Sequence, residues 1–189
     1  FMPTSGLALA CDRDGNKLWE HSMLEEYWRL TFPNGRTGGP VIEGDFVIFR
    51  GITANWGPSG PPGDRFYGFD KRTGELAWAS APDIKPVDSS NSSPTFTDLD
   101  GQRVFIAGTG SGSIICSNVR TGEPVWRVTI STGGVNASVL PHGDDMFIAI
   151  HGKENIDSTA KGRLVCYRVP SKYPPGDKPV ILTEKDEVW

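Results

Sequence analysis

Short apolar runs alternate with turn-forming clusters along the chain, and the alternation repeats. The runs at 7–10 (LALA), 66–69 (FYGF) and 113–117 (SIICS) each lead into a polar turn that ends in Trp: CDRDGNKLW from Cys11, DKRTGELAW from Asp70 and NVRTGEPVW from Asn118. In all three a Gly stands four residues before the Trp. A Thr-Gly or Asp-Gly pair between two apolar runs supplies the positive φ that a tight hairpin needs, so each unit predicts strand, turn, strand. Upstream of the hairpins a second pattern recurs: GGPVIEGD (38–45), SSPTFTDLDG (92–101) and NASVLPHGDD (136–145), each followed by a run such as FVIFRG, RVFIAG or MFIAIHG. These second runs are nearly continuous in apolar residues, the pattern of a strand covered on both faces.

Joined together, the two patterns predict four antiparallel strands per unit. Units of this size that need a neighbour on each face describe a β-propeller. The fold expectation is therefore all-β: a propeller segment of four-stranded antiparallel blades tied by tryptophan-docking hairpins. Its blades fall at about 1–19 (partial), 37–78, 91–126 and 135–189 within one domain, 1–189. The last is irregular, because GRLVCYR is followed by a Pro-rich stretch to Trp189 in place of a Thr-Gly turn. One segment, EHSMLEEYWRL at 20–30, has room for about two helical turns.

Composition agrees with this reading. Of 189 residues, 23 are Gly, 15 Pro and 6 Trp, an inventory of many turns and large anchors. The formal net charge of −4, with scattered Lys and Arg, provides no basic stripe for nucleic acid. No apolar run is long enough to span a bilayer, and FMPTSG does not read as a signal sequence. The chain starts with Phe, which reads as a processed product or a fragment. Cys11, Cys116 and Cys166 are an odd count, and the last two, at equivalent third-strand positions of successive blades, are too far apart to bridge.

The hairpins resemble the tryptophan-docking motif A-x-D-x-x-T-G-x-x-x-W of the PQQ-like repeat family, whose members include quinoprotein dehydrogenases and non-catalytic propellers of the BamB type. Asp70, Thr73, Gly74 and Trp78 match the motif, with Gly68 at the small-residue position; Asn118, Thr121, Gly122 and Trp126 match it conservatively, with Cys116 there. The first copy keeps only Gly15 and Trp19, with Leu9, Cys11 and Asp14 at the other positions. The resemblance implies that each Trp stacks on the Gly of a neighbouring hairpin and fastens blade to blade.

Other motifs carry less. GTGSGS at 108–113 leads into a strand rather than a helix, which predicts a strand-to-strand connection and not a phosphate loop. DRDGN and DLDG lack the twelfth-position Glu of a calcium loop, since Met23 stands there counting from Asp12, and read as hairpin turns. His21, His142 and His151 have no ligand spacing and are expected at the surface. The Asn-x-Ser triplets at Asn91 and Asn136 begin the innermost strands, where the two side chains either ring a central channel or satisfy local backbone groups. Connections between second and third strands, and crossings between blades, must share one face. The candidate binding face there comprises segments 20–36, 53–64 (with Asn55 and Trp56), 79–90 and 151–162 (with Lys153, Glu154 and Asn155), together with Asn91 and Asn136 at the starts of the innermost strands.

Two functions follow from the resemblance. The first is a non-catalytic, extracytoplasmic (periplasmic) scaffold for protein binding or assembly, with no cofactor, no catalytic residue and no metal site. The alternative is a fragment of a PQQ-dependent dehydrogenase that oxidises alcohols or sugars with PQQ and Ca²⁺, although this chain has neither adjacent cysteines nor a C-x-x-C-H haem motif. The expected partners are a protein, the remaining blades of a longer propeller, or a second copy that closes the ring as a homodimer.

Overall fold

The computed structural model describes residues 6–27, 38–53, 63–151, 162–173 and 178–189. Four sheets follow one another along the chain. The first pairs β1 (Leu7–Cys11) with β2 (Lys17–Ser22). The second runs β3 (Val41–Glu43), β4 (Phe46–Thr53), β5 (Gly63–Asp70) and β6 (Leu76–Ser80), each antiparallel to the next. The third contains β7 (Thr95–Leu99), β8 (Gln102–Gly108), β9 (Ser113–Asn118) and β10 (Pro124–Thr129). The fourth orders β11 (Leu140–His142), β12 (Met146–His151) and β13 (Arg163–Arg168). The predicted helix at 20–30 shrinks to α1 (Met23–Tyr27), little more than one turn; residues 20–22 end β2, and 28–30 lie outside the described residues.

Alternation of side chains sends one face of each sheet toward the preceding sheet and the other toward the following one. Ala8 and Met23 therefore meet Val47, Phe49, Tyr67 and Phe69 of the second sheet. The opposite face of that sheet, with Ile48, Phe66 and Trp78, packs on Phe105, Ala107, Ile115 and Val119 of the third. The next layer repeats the arrangement: Ile106, Ile114, Cys116, Trp126 and Val128 cover Phe147, Ala149, Val165 and Tyr167. Middle strands buried on both faces are the continuous apolar runs of the sequence, and β9 (SIICSN) is buried over five of its six residues.

Two departures from four strands per blade occur at the end of the chain. β14 (Val180–Ile181) leaves the fourth unit and adds to the third sheet, parallel to β10, pairing Trp126 with Val180 and Arg127 with Ile181. The third sheet thus has five strands, and the expected 135–189 unit is not spatially contiguous. The chain then turns through a short 3-10 segment, Glu184–Asp186, capped by Thr183, and returns to the fourth sheet. There the Val188 amide donates to Cys166 O (2.7 Å) and the Cys166 amide to Trp189 O (2.9 Å), so Glu187–Trp189 occupies the outer edge of β13.

Candidate functional site

Each docking hairpin is built by side chains that bond their own turn. Asp70 Oδ1 accepts from the Arg72 and Thr73 amides (2.8 and 3.0 Å), and Asn118 Oδ1 accepts likewise from Arg120 and Thr121 (2.8 and 3.2 Å). The two amides hold the Asp70 carboxyl below the usual carboxylate range. Thr73 and Thr121 accept from the amides two residues on, and Gly74 and Gly122 close the turn at φ of +76° and +72°. In the degenerate first copy Asp12 takes over, its Oδ1 accepting from the Asp14 and Asn16 amides.

The Trp side chains bridge the sheets. A Cβ placed on Gly74 would lie 2.6 Å from Trp19, and one placed on Gly122 would lie 2.5 Å from Trp78, so each ring sits flat against the glycine of the following hairpin. Trp19 Nε1 donates to Lys71 O (3.1 Å) and Trp78 Nε1 to Val119 O (3.0 Å). Trp78 also lies across Gly68 of its own sheet, which is why a small residue is needed there. The first copy docks as the second does, with a one-residue correction: Ala10, not Leu9, stands opposite Trp19, because its turn is a residue shorter. His21 reinforces this junction, donating from Nε2 to Gly74 O (2.6 Å) while Nδ1 meets Glu26 Oε2 (2.7 Å).

Trp126 is different. It is 1% exposed, opposite Cys116 in its own sheet and stacked on Phe147 with centroids 4.8 Å apart. Where a following hairpin would stand, the described residues are 169–173 and 178–187, and among the described residues its Nε1 has no hydrogen-bond partner. Tyr173, from the first of these segments, packs against the same core with its hydroxyl also unpartnered.

The opposite face of the sheets holds the connections and crossings. The Val87 and Asp88 amides donate to Gly110 O, and the Val135 amide donates to Thr109 O, so the crossings at 81–94 and 130–139 rest on the 109–112 turn. The GTGSGS stretch is that turn. Asn136 turns its side chain inward: Oδ1 accepts from the Asn91 amide (2.8 Å), and one step outward Ser138 Oγ accepts from the Ser93 amide (3.3 Å). Asn136 therefore bonds the neighbouring blade's backbone, whereas the Asn91 side chain is exposed. Asn55, Trp56, Lys153, Glu154 and Asn155 lie outside the described residues.

Beside Asn136 an open cleft of about 540 Å³ is lined by Ala137, Ile150, His151, Gly162, Arg163 and Leu164. His151 was expected at the surface, but it is half-buried with Nε2 unpartnered; burial and the Arg163 charge push its pKa down. His21 is likewise half-buried, and only His142 is exposed. Arg163 is held by Glu187, which also accepts from the Tyr167 hydroxyl (2.9 Å); burial and that bond raise the Tyr167 pKa to about 12.

Sequence reading missed a buried ion pair. Arg50 and Asp64, each 4% exposed, face each other across β4 and β5, with Nε to Oδ1 at 2.8 Å. Arg50 Nη1 reaches Ser90 Oγ (3.1 Å), and the Gly110 amide donates to Asp64 Oδ2 (3.1 Å). The pair thus joins the second sheet to the third through the crossing. The three cysteines are free, Cys116 and Cys166 both buried and Cys11 exposed. Among the described residues no group of three or more His, Cys, Asp or Glu is placed to hold a metal ion, and no helix is long and apolar enough to cross a membrane.

A family profile described as outer membrane protein assembly factor BamB matches residues 25–172. The outer membrane protein assembly factor BamB of Burkholderia pseudomallei (strain K96243) is 25% identical over 168 residues, 88% of this chain and 38% of that protein. Among solved structures, BamB from Moraxella catarrhalis superposes with a TM-score of 0.53 at 20% identity, over 87% of this chain and 44% of that one. A europium-containing methanol dehydrogenase superposes with a TM-score of 0.52 at 16% identity, over 82% and 24%. The chain spans less than half the length of each. It is a β-propeller segment, and it belongs to the PQQ-like repeat family described as outer membrane protein assembly factor BamB.

Proposed function

We propose that this chain is part of a non-catalytic, extracytoplasmic scaffold that binds other proteins during outer-membrane protein assembly. The observation that carries the reading is the profile match over 25–172, together with the curated BamB relative aligned to 88% of the chain. On this reading no cofactor is needed, the docking hairpins hold the ring rigid, and the partners are proteins. The face of the fourth sheet that exposes Leu140, Ile150 and Leu164 is then where further blades of a longer polypeptide, or a second copy, pack. The crossing face, including Asn91 and Asn136 and the segments around 53–64 and 151–162, is the proposed binding face.

The test is direct. The chain is titrated with PQQ and Ca²⁺ while absorbance and alcohol- or sugar-dependent dye reduction are followed, and in parallel its binding to purified components of an outer-membrane assembly complex is measured. Saturable binding to a component with no PQQ-dependent spectral change supports the scaffold. A red-shifted PQQ band with substrate-dependent dye reduction would establish a quinoprotein dehydrogenase fragment instead.

A further inference from the structure

The outer strands of the sheets protect their free edges in different ways. β2 (KLWEHS) carries Lys17 and Glu20, paired at 2.9 Å, and β10 (PVWRVT) opens on Pro124 and carries Arg127. β10 is also covered by the chain itself, since β14 adds to it in parallel and the Leu182 amide donates to Arg127 O at 2.8 Å. β6 (LAWAS) has neither defence: it holds no charge and no proline, and among the described residues no strand pairs with its outer side. Ala77 and Ala79 are exposed, and Leu76 is 40% exposed. An uncharged edge with free backbone groups is a template for strand addition, and soluble proteins normally blunt such edges.

β6 and β10 are the same element in successive sheets. Trp78 pairs with Gly68 as Trp126 pairs with Cys116, and Ala79 pairs with Tyr67 as Arg127 pairs with Ile115. Ala79 is thus the counterpart of Arg127, whose carbonyl points outward to the added strand. We infer that the β6 edge is a docking site for an extended, uncharged segment of a partner protein, which adds in parallel with its backbone bonded to Ala79. The molecule's own β14 shows the side-chain pattern such a segment carries: Val180 and Leu182 turn toward the core and Ile181 faces out. Main-chain bonds give such a site its affinity and alternate side chains give its selectivity. The inference rests on the scaffold reading for its biological meaning, but it is tested apart from it.

The probe is a peptide with the chain's own edge sequence, Pro179–Thr183, blocked at both ends so that it carries no charge and titrated at millimolar concentration into the isotope-labelled chain. The expected result is amide shifts confined to Leu76–Ser80, with binding weakened about tenfold or more by Ala79→Pro, which removes the outward donor. Because that variant bears on folding, the same titration is run on the unaltered chain with a peptide N-methylated at alternate residues, which should also fail to bind. Shifts confined to Trp126–Arg127 would mean that the peptide only displaces β14, and would overturn the inference. Equal binding by the N-methylated peptide would overturn strand addition, and Ala79→Pro-sensitive self-association without peptide would make the occupant a second copy. None of these outcomes touches the PQQ and assembly-component measurements, so either reading can fail alone.

Discussion

The junction between the second and third sheets and the junction between the third and fourth solve one problem with different chemistry. At the first, Trp78 is wedged between Gly68 and Gly122, its N–H reaches Val119 O, and on the opposite face Arg50 and Asp64 bind the crossing. At the second, Trp126 stacks on Phe147 and Tyr167 lies parallel to that ring, but among the described residues no glycine docks it and no group accepts its indole N–H. The position equivalent to Arg50 is Gly108, which Val135 fills from the crossing; a Cβ there would lie 2.6 Å from Val135 Cγ1. Both crossings carry hydrogen bonds, but at the Trp and at the Arg50 position the first junction is specified by directed polar contacts, the second by apolar contact and a strap, β14, laid over its outer edge. Apolar contact tolerates shape-conserving change, whereas a buried polar network does not.

Four experiments test that contrast, from the largest effect down. Trp126→Ala should destabilise the chain by about 3–5 kcal/mol, the usual range for a large buried aromatic, read from denaturant midpoints at constant slope. Arg50→Met should cost a comparable ~3–5 kcal/mol because it strands the Asp64 carboxylate in the interior, yet Arg50→Met combined with Asp64→Leu should recover most of the loss. If the double variant is as unstable as the single one, the pair is not the linchpin of the first junction. Gly122→Ala should cost about 1–3 kcal/mol, since the methyl meets the Trp78 ring and φ is +72°. The smallest effect is the sharpest: Trp78→Phe should lose about 1 kcal/mol more than Trp126→Phe, because only the former deletes a formed hydrogen bond. Equal losses would show that the two junctions do not differ in this way.

Much of the fold was legible because the docking hairpin writes its geometry in residue types. Asp or Asn must cap the turn, Thr must accept two residues on, Gly must adopt positive φ, and Trp must follow four residues later, all within nine positions. Local constraints of this kind survive in a single sequence, so the hairpins were legible, whereas the docking of each Trp on the following rather than the preceding hairpin is read from the structure alone. Arg50 was not legible. It sits in an otherwise apolar run, and its partner lies beyond the stretch at 54–62, whose length conceals the register that pairs Arg50 with Phe66 and places Asp64 within reach. The β14 strap was hidden for a related reason: two apolar residues in a Pro-rich stretch carry no periodicity, and their partner is a strand completed well before them. Of the two roles the sequence left open for Asn136, the structure shows the satisfying of backbone groups, since its amide oxygen accepts from the Asn91 amide of the neighbouring blade.

The strap has a consequence for how the chain folds. Because β14 follows β13 in sequence yet completes the sheet of β10, the third sheet gains its outermost strand only after the fourth has been laid down. The two therefore constitute a single cooperative unit, closed by a contact of long sequence separation, whose formation is slow in proportion to the loop that must be ordered. During synthesis the β10 amides wait unpaired on one side until the excursion returns. In the finished molecule they exchange with solvent only when the fourth sheet lets go, whereas the β6 amides on the outer side exchange without any such release.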